Sequence, residues 1–211
     1  MPLKLKTLLL SGALVALGAT ALTARPRPAE RVTYDEIVTD RAMGVRNAPI
    51  MLEDFADYEC PACKYLFETT TGQVIRNYVD TGKVYMVHHD FPIHQHSIEA
   101  AKWANAAAVI GKYEPVEAAL YAQQSIWDAS GNVEAIVAGV LTPAELKRCE
   151  GLLADPEITQ AIQQDHDLGL QRHVSQTPSL FVTHNGRIVP LPPGPVQYPI
   201  LKQYLDYLLK Q

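Results

Sequence analysis

One pair of closely spaced cysteines, in Cys60-Pro61-Ala62-Cys63, constrains both the fold and the chemistry of this chain. The pair lies between an apolar run at 49–55 and a pattern typical of an amphipathic helix. A sulfur at the start of a helix faces unpaired backbone N–H groups and the positive end of the helix dipole, which favour a thiolate. Pro61 suits the first helical position because it has no N–H group to leave unpaired. The motif therefore predicts an activated nucleophile, Cys60, at a helix N-terminus.

The second cysteine of the motif is expected to point inward. Cys63 shares a helical stripe with Phe67, Val74 and Tyr78. One exposed thiol of low pKa beside a sheltered partner is the arrangement of a redox-active dithiol. The same motif also occurs as half of a zinc site or as a structural disulfide, but zinc sites usually supply two more ligands at regular spacing. Since the only other cysteine, Cys149, is distant, redox chemistry is favoured and no metal is expected.

The N-terminal 24 residues are interpreted as an export signal. Lys4 and Lys6 form a positive region, an apolar run follows, and small residues at 19–21 offer a cleavage site. The alternative is an uncleaved membrane anchor, although the run is shorter than the roughly 18 to 20 residues that a spanning helix needs. Either interpretation predicts a periplasmic or otherwise extracytoplasmic protein, working where disulfides persist.

The order of the remaining elements predicts an α/β fold interrupted by helices. Strand, helix and strand signals are followed by a block with helix signals alone, and then by a hairpin turn at Asn185-Gly186 and a closing helix. A short edge strand is expected at 34–38. This order is that of a thioredoxin-like domain split by an all-helical subdomain. The predicted parts are a lead-in (25–46), a thioredoxin-like domain in two segments (47–94 and 172–211) and a helical insertion (95–171).

Four motifs resemble those of the DsbA-like thiol:disulfide oxidoreductases, including the BdbD-type branch of that family. They are Phe55-Ala56-Asp57-Tyr58-Glu59-Cys60-Pro61-Ala62-Cys63, Asp90-Phe91-Pro92-Ile93-His94, Thr177-Pro178-Ser179 and Asn185-Gly186-Arg187. Their order and spacing match the family over 47–209. The resemblance implies an enzyme that donates the Cys60–Cys63 disulfide to exported proteins through a mixed disulfide on Cys60, with no other cofactor.

The resemblance also implies a substrate-binding loop at Thr177-Pro178, which matches the position of the family's cis-proline. A cis bond there would place backbone groups where an extended client segment pairs with them as a strand does. Pro61 and Ala62 are expected to contact the same segment. From the residues alone, an ordinary trans proline at a strand edge remains the alternative. Ala62 departs from the strongest oxidants of the family, which carry a thiolate-stabilising histidine at that place, so Cys60 is expected to be activated less extremely.

Asp54 matches the buried acid that lies beneath the second cysteine in the family, and the resemblance implies that it exchanges a proton with Cys63. Family members often pair this acid with a lysine on the neighbouring strand, but Met86 holds that place here. The alternation of Met86, His88 and Asp90 suggests that His88 lies on the same face instead. An unpaired, buried Asp54 would have a raised pKa. The alternative is a solvated residue at the end of a strand.

The expected partners are reduced or unfolded exported proteins and a membrane redox partner of the DsbB or VKOR kind. A net charge of −5 argues against nucleic acid as a partner. The alternatives that stay open are a disulfide reductase or isomerase, and a non-enzymatic protein that binds metal or acts as a chaperone.

Two further features could carry chemistry. Histidines at 88, 89, 94 and 96 could suggest a metal site, but His88 and His89 alternate to opposite faces of a strand and no nearby cysteine completes a ligand set. Cys149 lies at helical spacing with Leu146, Leu152 and Leu153, so a buried structural role is favoured over a reactive or intermolecular thiol.

Overall fold

A single mixed sheet forms the centre of the protein in a computed structural model, which describes residues 32–211; the predicted export signal lies outside them. Its strands run in the order β2-β1-β3-β4, with β1 parallel to β2 and the other pairs antiparallel. Their bounds are Ile50–Ala56 (β1), Val84–Asp90 (β2), Ser179–His184 (β3) and Arg187–Pro190 (β4).

The hairpin between β3 and β4 follows from its two-residue turn. Asn185 and Gly186 have φ values of 48° and 73°, and a tight hairpin turn of this kind needs positive φ at both central residues. Asparagine and glycine tolerate that conformation best. The turn and four of the five predicted strands are confirmed.

Helices cover both faces of the sheet, and most of them lie between β2 and β3. The helix that begins after Cys60, α2, consists of alternating α-helical and π-helical segments. Within the part of the chain that the structure describes, the helices are Tyr34–Arg41 (α1), Pro61–Leu66, Phe67–Thr71, Gly72–Val74 and Ile75–Val79 (together α2), Ser97–Val109 (α3), Tyr113–Ala122 (α4), Gln124–Ser130 (α5), Val133–Ala138 (α6), Pro143–Leu152 (α7), Pro156–Gln171 (α8) and Tyr198–Leu208 (α9). This is a thioredoxin fold with a helical insertion, as the sequence predicted.

The predicted inward stripe of α2 is confirmed. Cys63, Val74 and Tyr78 are buried, and Phe67 packs partly buried against the same core. None of the helices described between Val32 and Gln211 has the length and apolar character that crossing a bilayer requires.

The prediction of a short strand at 34–38 is wrong, because this segment is part of helix α1. Thr33 caps the helix and Glu36 completes a capping box, since the Glu36 carboxylate accepts a hydrogen bond from the backbone N–H of Thr33 at 2.9 Å. Among residues 32–211, chain pairing at this edge of the sheet is limited to one isolated bridge between Met43 and Met86. The capping signal was present in the sequence, and it outweighs the β propensity of the residues that follow.

The sequence pattern at 113–129 predicts one helix, but the structure has two, because the chain leaves helical geometry at Gln123. The break turns the side chain of Gln124 toward the active-site loop, where its amide donates to the carbonyls of Tyr58 at 2.7 Å and Cys60 at 3.1 Å. The insertion therefore buttresses the segment that leads into the cysteine motif.

A buried ionic network ties α1 and α8 to the sheet. The guanidinium of Arg41 is ion-paired with Asp90 at the end of β2 and with Asp165 of α8, which lies 2.6 Å away. Asp165 also contacts Nδ1 of His89 at 2.8 Å and accepts a hydrogen bond from the Tyr34 hydroxyl at 2.9 Å. Arg41, His89, Asp90 and Asp165 are buried, so each charge among them depends on its partner for solvation.

Candidate active site

Cys60 occupies the N-cap position of α2, and Pro61 takes the first helical position. The Sγ atom of Cys60 lies 3.5 Å from the carbonyl oxygen of Thr177. The pKa of Cys60 is lowered to about 5, chiefly because the Cys63 side chain donates a hydrogen bond to the sulfur. Burial opposes this shift, while Thr177 and the backbone N–H groups of Cys63 and Ala62 add to it. Cys60 is thus a thiolate at neutral pH, although only 7% of its surface is exposed, less than the sequence suggested.

Cys63 has the opposite environment. It is 2% exposed, and its Sγ accepts a hydrogen bond from the backbone N–H of Asp57 at 3.5 Å. Burial raises the pKa of Cys63 well above its ordinary value, and the negative charges of Asp54 and Cys60 act in the same direction. The two sulfurs therefore differ strongly, one being a thiolate and the other a thiol.

The Thr177-Pro178 peptide bond is cis, as the resemblance implied. The loop lies directly before β3, so the position of that strand beside β1 brings Thr177 against Cys60. The carbonyl of Pro178 accepts a hydrogen bond from the backbone N–H of Gly194 at 2.9 Å. The loop is therefore anchored on one side and meets the nucleophilic sulfur on the other.

Asp54 lies inside the protein and not at a solvated strand end, since it is 7% exposed. Its Oδ1 has no hydrogen-bond partner among residues 32–211. Burial raises the pKa of Asp54 to about 6, while His88 and His89 oppose the rise. His88 is the register partner of Asp54 on β2. The prediction that His88 lies on the same sheet face as Asp54 is therefore correct.

Two acidic residues beside the motif were not singled out from the sequence. The carboxylate of Asp57 accepts hydrogen bonds from the Ser97 hydroxyl at 2.6 Å and from the backbone N–H of Ile93 at 2.8 Å. It also contacts Nδ1 of His94 at 2.8 Å. Glu59 accepts from the backbone N–H of residue 96 at 2.6 Å. Both carboxylates fasten the segment after β2 to the cysteine loop. Because each carboxylate and the groups that donate to it are 36 to 40 residues apart in sequence, no local sequence pattern indicates these contacts.

The four clustered histidines separate in space. His88 and His89 face opposite sides of β2, His94 pairs with Asp57, and the ring of His96 packs near Gly131. Among the described residues, no group of three His, Cys, Asp or Glu side chains is arranged to hold a metal ion.

Cys149 is fully buried in α7. Burial raises the pKa of Cys149 to about 11. This agrees with the structural role favoured from its helical spacing, and the residue stands outside the dithiol site.

Alkylation of the reduced protein should label Cys60 first, with a rate that rises through a midpoint near pH 5. The reason is that only the thiolate reacts, and an ordinary cysteine reaches its midpoint near pH 8.5. Peptide mapping after a short iodoacetamide pulse across pH 4 to 9 measures both site and midpoint. First labelling at Cys63, or a midpoint near that of a free cysteine, would contradict the assignment.

Comparison with known proteins agrees with this geometry. The sequence profile of the family described as Thioredoxin matches residues 36–205, which is most of the chain. The chain belongs to the thioredoxin family. The crystal structure of BdbD from Bacillus subtilis has a TM-score of 0.68 and 18% identity to it, over 82% of this chain and 95% of that one. This likeness confirms the DsbA-like fold expected from the four motifs.

Two curated relatives share the sequence more closely. A Rickettsia bellii protein named as a protein-disulfide oxidoreductase is 25% identical over 72% of this chain. A Bacillus anthracis protein named as a disulfide bond formation protein D is 24% identical over 70% of this chain. The chain spans about 60% of the length of the first and 71% of the second.

Proposed function

We propose that this thioredoxin-family chain is a DsbA-like thiol:disulfide oxidoreductase that oxidises exported proteins outside the cytoplasm. The observation that carries the proposal is the difference between the two sulfurs, with Cys60 ionised near pH 5 and Cys63 held as a thiol. A stabilised Cys60 thiolate favours the reduced form of the pair, which makes the disulfide a ready electron acceptor. The names of the two curated relatives support the same chemistry.

The proposed reaction passes two electrons from a client dithiol to the Cys60–Cys63 disulfide. A client thiolate attacks Sγ of Cys60, the Cys60–Cys63 bond breaks, and Cys63 leaves as a thiolate that takes up a proton. A second client thiolate then attacks the client sulfur of the mixed disulfide, and Cys60 leaves as a thiolate. The client gains a disulfide and loses two protons, of which one is taken up at Cys63 and the other enters solvent.

The proposed client site is the surface formed by Thr177-Pro178 together with Pro61 and Ala62. A client segment lying in extended conformation along this loop would bring its sulfur to Cys60, which is the contact that the Thr177 carbonyl makes in the free protein. The N-terminal signal predicted at 1–24 supports an extracytoplasmic site of action. Turnover would need an external oxidant, for which a membrane redox partner of the DsbB or VKOR kind is proposed.

A stoichiometric assay with a reduced, unfolded client tests the proposal. The oxidised protein should form one client disulfide per molecule and then stop, and adding an oxidant such as oxidised glutathione should restore turnover. Replacing both Cys60 and Cys63 by serine should abolish the reaction. Failure of the wild-type protein to oxidise the client would contradict oxidase activity, and client protection retained by the double serine variant would favour a chaperone instead.

A further inference from the structure

A second cluster of ionisable groups lies behind Cys63, on the sheet face that carries Asp54. His88 is the parallel register partner of Asp54, so the two side chains project from the same face of strands about 4.8 Å apart. On the other side of His88, Glu117 of α4 places Oε1 4.0 Å from Nδ1 of the imidazole. All three residues are buried, His88 being 2% exposed. One buried imidazole therefore lies between two buried carboxyl groups.

The third carboxyl group near His88 belongs to the Arg41 network. Asp90 places Oδ1 3.4 Å from Nε2 of His88, while its other oxygen is ion-paired with Arg41 and accepts a hydrogen bond from the Asn105 amide at 2.9 Å. Arg41 is shared between Asp90 and Asp165. Burial lowers the pKa of His88, but the contact with Asp90 more than offsets this, so Asp90 favours the imidazolium. Asp54 and Glu117 are then the two carboxyl groups that compete for a proton beside it.

The remaining ionisable groups around His88 are tyrosines, and they are neutral. The ring of Tyr58 lies 5.2 Å and that of Tyr113 lies 6.1 Å from the imidazole, and the Tyr113 hydroxyl donates to Oε1 of Glu117 at 3.0 Å. Tyr121 on the same helix approaches the Tyr58 ring. Burial raises the pKa of each of these three tyrosines well above its ordinary value, so none ionises near neutrality.

Oδ1 of Asp54 lacks a hydrogen-bond partner in the described chain, and Nε2 of His88 has only its 3.4 Å contact with Asp90. An uncompensated buried charge is costly, so such a cluster is most stable when its net charge is close to zero. A protonated His88 with one ionised carboxylate meets this condition. The second carboxyl group then keeps its proton.

We propose that Asp54, His88 and Glu117 share protons as one unit, and that His88 is the positioning residue that decides when Asp54 can exchange a proton with Cys63. This inference rests on the proposed thiol:disulfide exchange and deepens it. Burial raises the pKa of Asp54 to about 6 and that of Glu117 to about 7, and His88 opposes both shifts. Groups this close titrate in steps that belong to the cluster and not to one residue.

The shared unit assigns a place to each proton during exchange. Near neutrality Asp54 is the carboxylate beside the His88 imidazolium and Glu117 keeps the carboxyl proton of the unit, because the pKa of Asp54 is the lower of the two. When the Cys60–Cys63 bond breaks, Cys63 keeps the electron pair, and Asp54 passes to it a proton taken from solvent, into which the attacking client thiol has released one. In the reverse direction Cys63 returns its proton to Asp54 before its sulfur attacks a mixed disulfide.

The two phases of reaction with the chromogenic disulfide DTNB separate the steps. The reduced protein should release one thionitrobenzoate as Cys60 attacks, and a second as Cys63 attacks the mixed disulfide. In the wild-type protein the second rate should rise with pH through an inflection near 6, where Asp54 ionises. Asp54→Asn should remove this inflection, while the first phase continues.

Substitutions of His88 and Glu117 should have different effects on the pH at which the second-phase rate inflects. His88→Gln removes the cation beside Asp54, so the inflection should rise by about one pH unit or more. Glu117→Gln removes the competing carboxyl group, so the inflection should stay or fall. His89→Gln is the matched control, since His89 is buried on the same strand but faces the opposite side, and it should move the inflection less than His88→Gln does. A purely structural loss would slow the second phase without moving the inflection.

The outcomes distinguish this inference from the function on which it rests. Absence of the first phase in the wild-type protein would overturn the thiol exchange and this inference with it. A normal first phase with the same second-phase inflection in wild type and His88→Gln would overturn this inference alone. If a variant does not fold, carboxyl ¹³C titration of the wild-type protein decides: the Asp54 and Glu117 resonances should share two inflections, and one separate inflection for each would overturn the proposal.

Discussion

Cys63→Ala is expected to turn the protein into a trap that retains clients covalently. The Cys60 thiolate can still attack a client cysteine that is disulfide-linked to glutathione, which leaves, but no neighbouring sulfur then remains to attack the adduct. Since an intramolecular nucleophile acts at an effective concentration far above that of free thiols, the adduct should persist at least about a hundredfold longer than in the wild-type protein. Non-reducing gels of the protein mixed with a disulfide-containing client, followed over time, measure its lifetime.

Two single substitutions serve as controls for the trap. Cys60→Ala should form no adduct, because the nucleophile is absent. Cys149→Ala should behave as the wild-type protein does, because Cys149 is fully buried and outside the site. A stable adduct on Cys60→Ala, or equally rapid release with and without Cys63, would contradict the assigned roles.

Arg41→Met should cost about 3 to 5 kcal/mol of unfolding free energy, the usual penalty for removing one partner of a buried ionic network. Methionine fills much of the space but leaves Asp90 and Asp165 without their cation. Urea unfolding at pH 7 measures the loss. Arg46→Met is the matched control, because Arg46 is exposed in the same segment and its loss should change stability by no more than about 0.5 kcal/mol. Equal effects of the two substitutions would contradict the structural role of the network.

The Arg41 network shows where sequence reasoning stops. Arg41 and Asp165 are 124 residues apart, and no local pattern identifies them as partners or indicates that either is buried. The same limit applies to Asp57, whose contacts with the segment after β2 depend on the parallel pairing of β1 and β2. Interactions of this kind are created by the tertiary fold.

Features determined by neighbouring residues were predictable. The helix start at Cys60-Pro61 follows from proline at the first helical position, and the hairpin at Asn185-Gly186 follows from positive φ. The break at Gln123 was missed because both flanking segments have helical periodicity, and it is a buried contact of Gln124 that separates them. The cis bond at Thr177-Pro178 was expected from the family resemblance alone, since the residues themselves favoured trans.

Ionisation of Cys60 contributes to the stability of the reduced protein. Its pKa falls from about 8.5 in an unfolded chain to about 5 in the folded one. A lowered pKa contributes stability that is fully present above the unfolded value and is lost as the pH falls through about 5. At neutral pH the thiolate therefore stabilises the reduced form relative to the disulfide, which is the direction that the proposed oxidation of clients requires.

The reduction potential of the Cys60–Cys63 pair is the most direct test of this account. It is measured by equilibrating the protein with glutathione redox buffers at pH 7 and quantifying the two forms after acid quenching. Because the thiolate is stabilised but Ala62 replaces the histidine of the strongest oxidants, the expected value lies between about −120 and −230 mV. A potential below about −260 mV would reverse the proposed direction of electron flow, and the lack of a reversible two-electron couple would contradict redox chemistry at this site altogether.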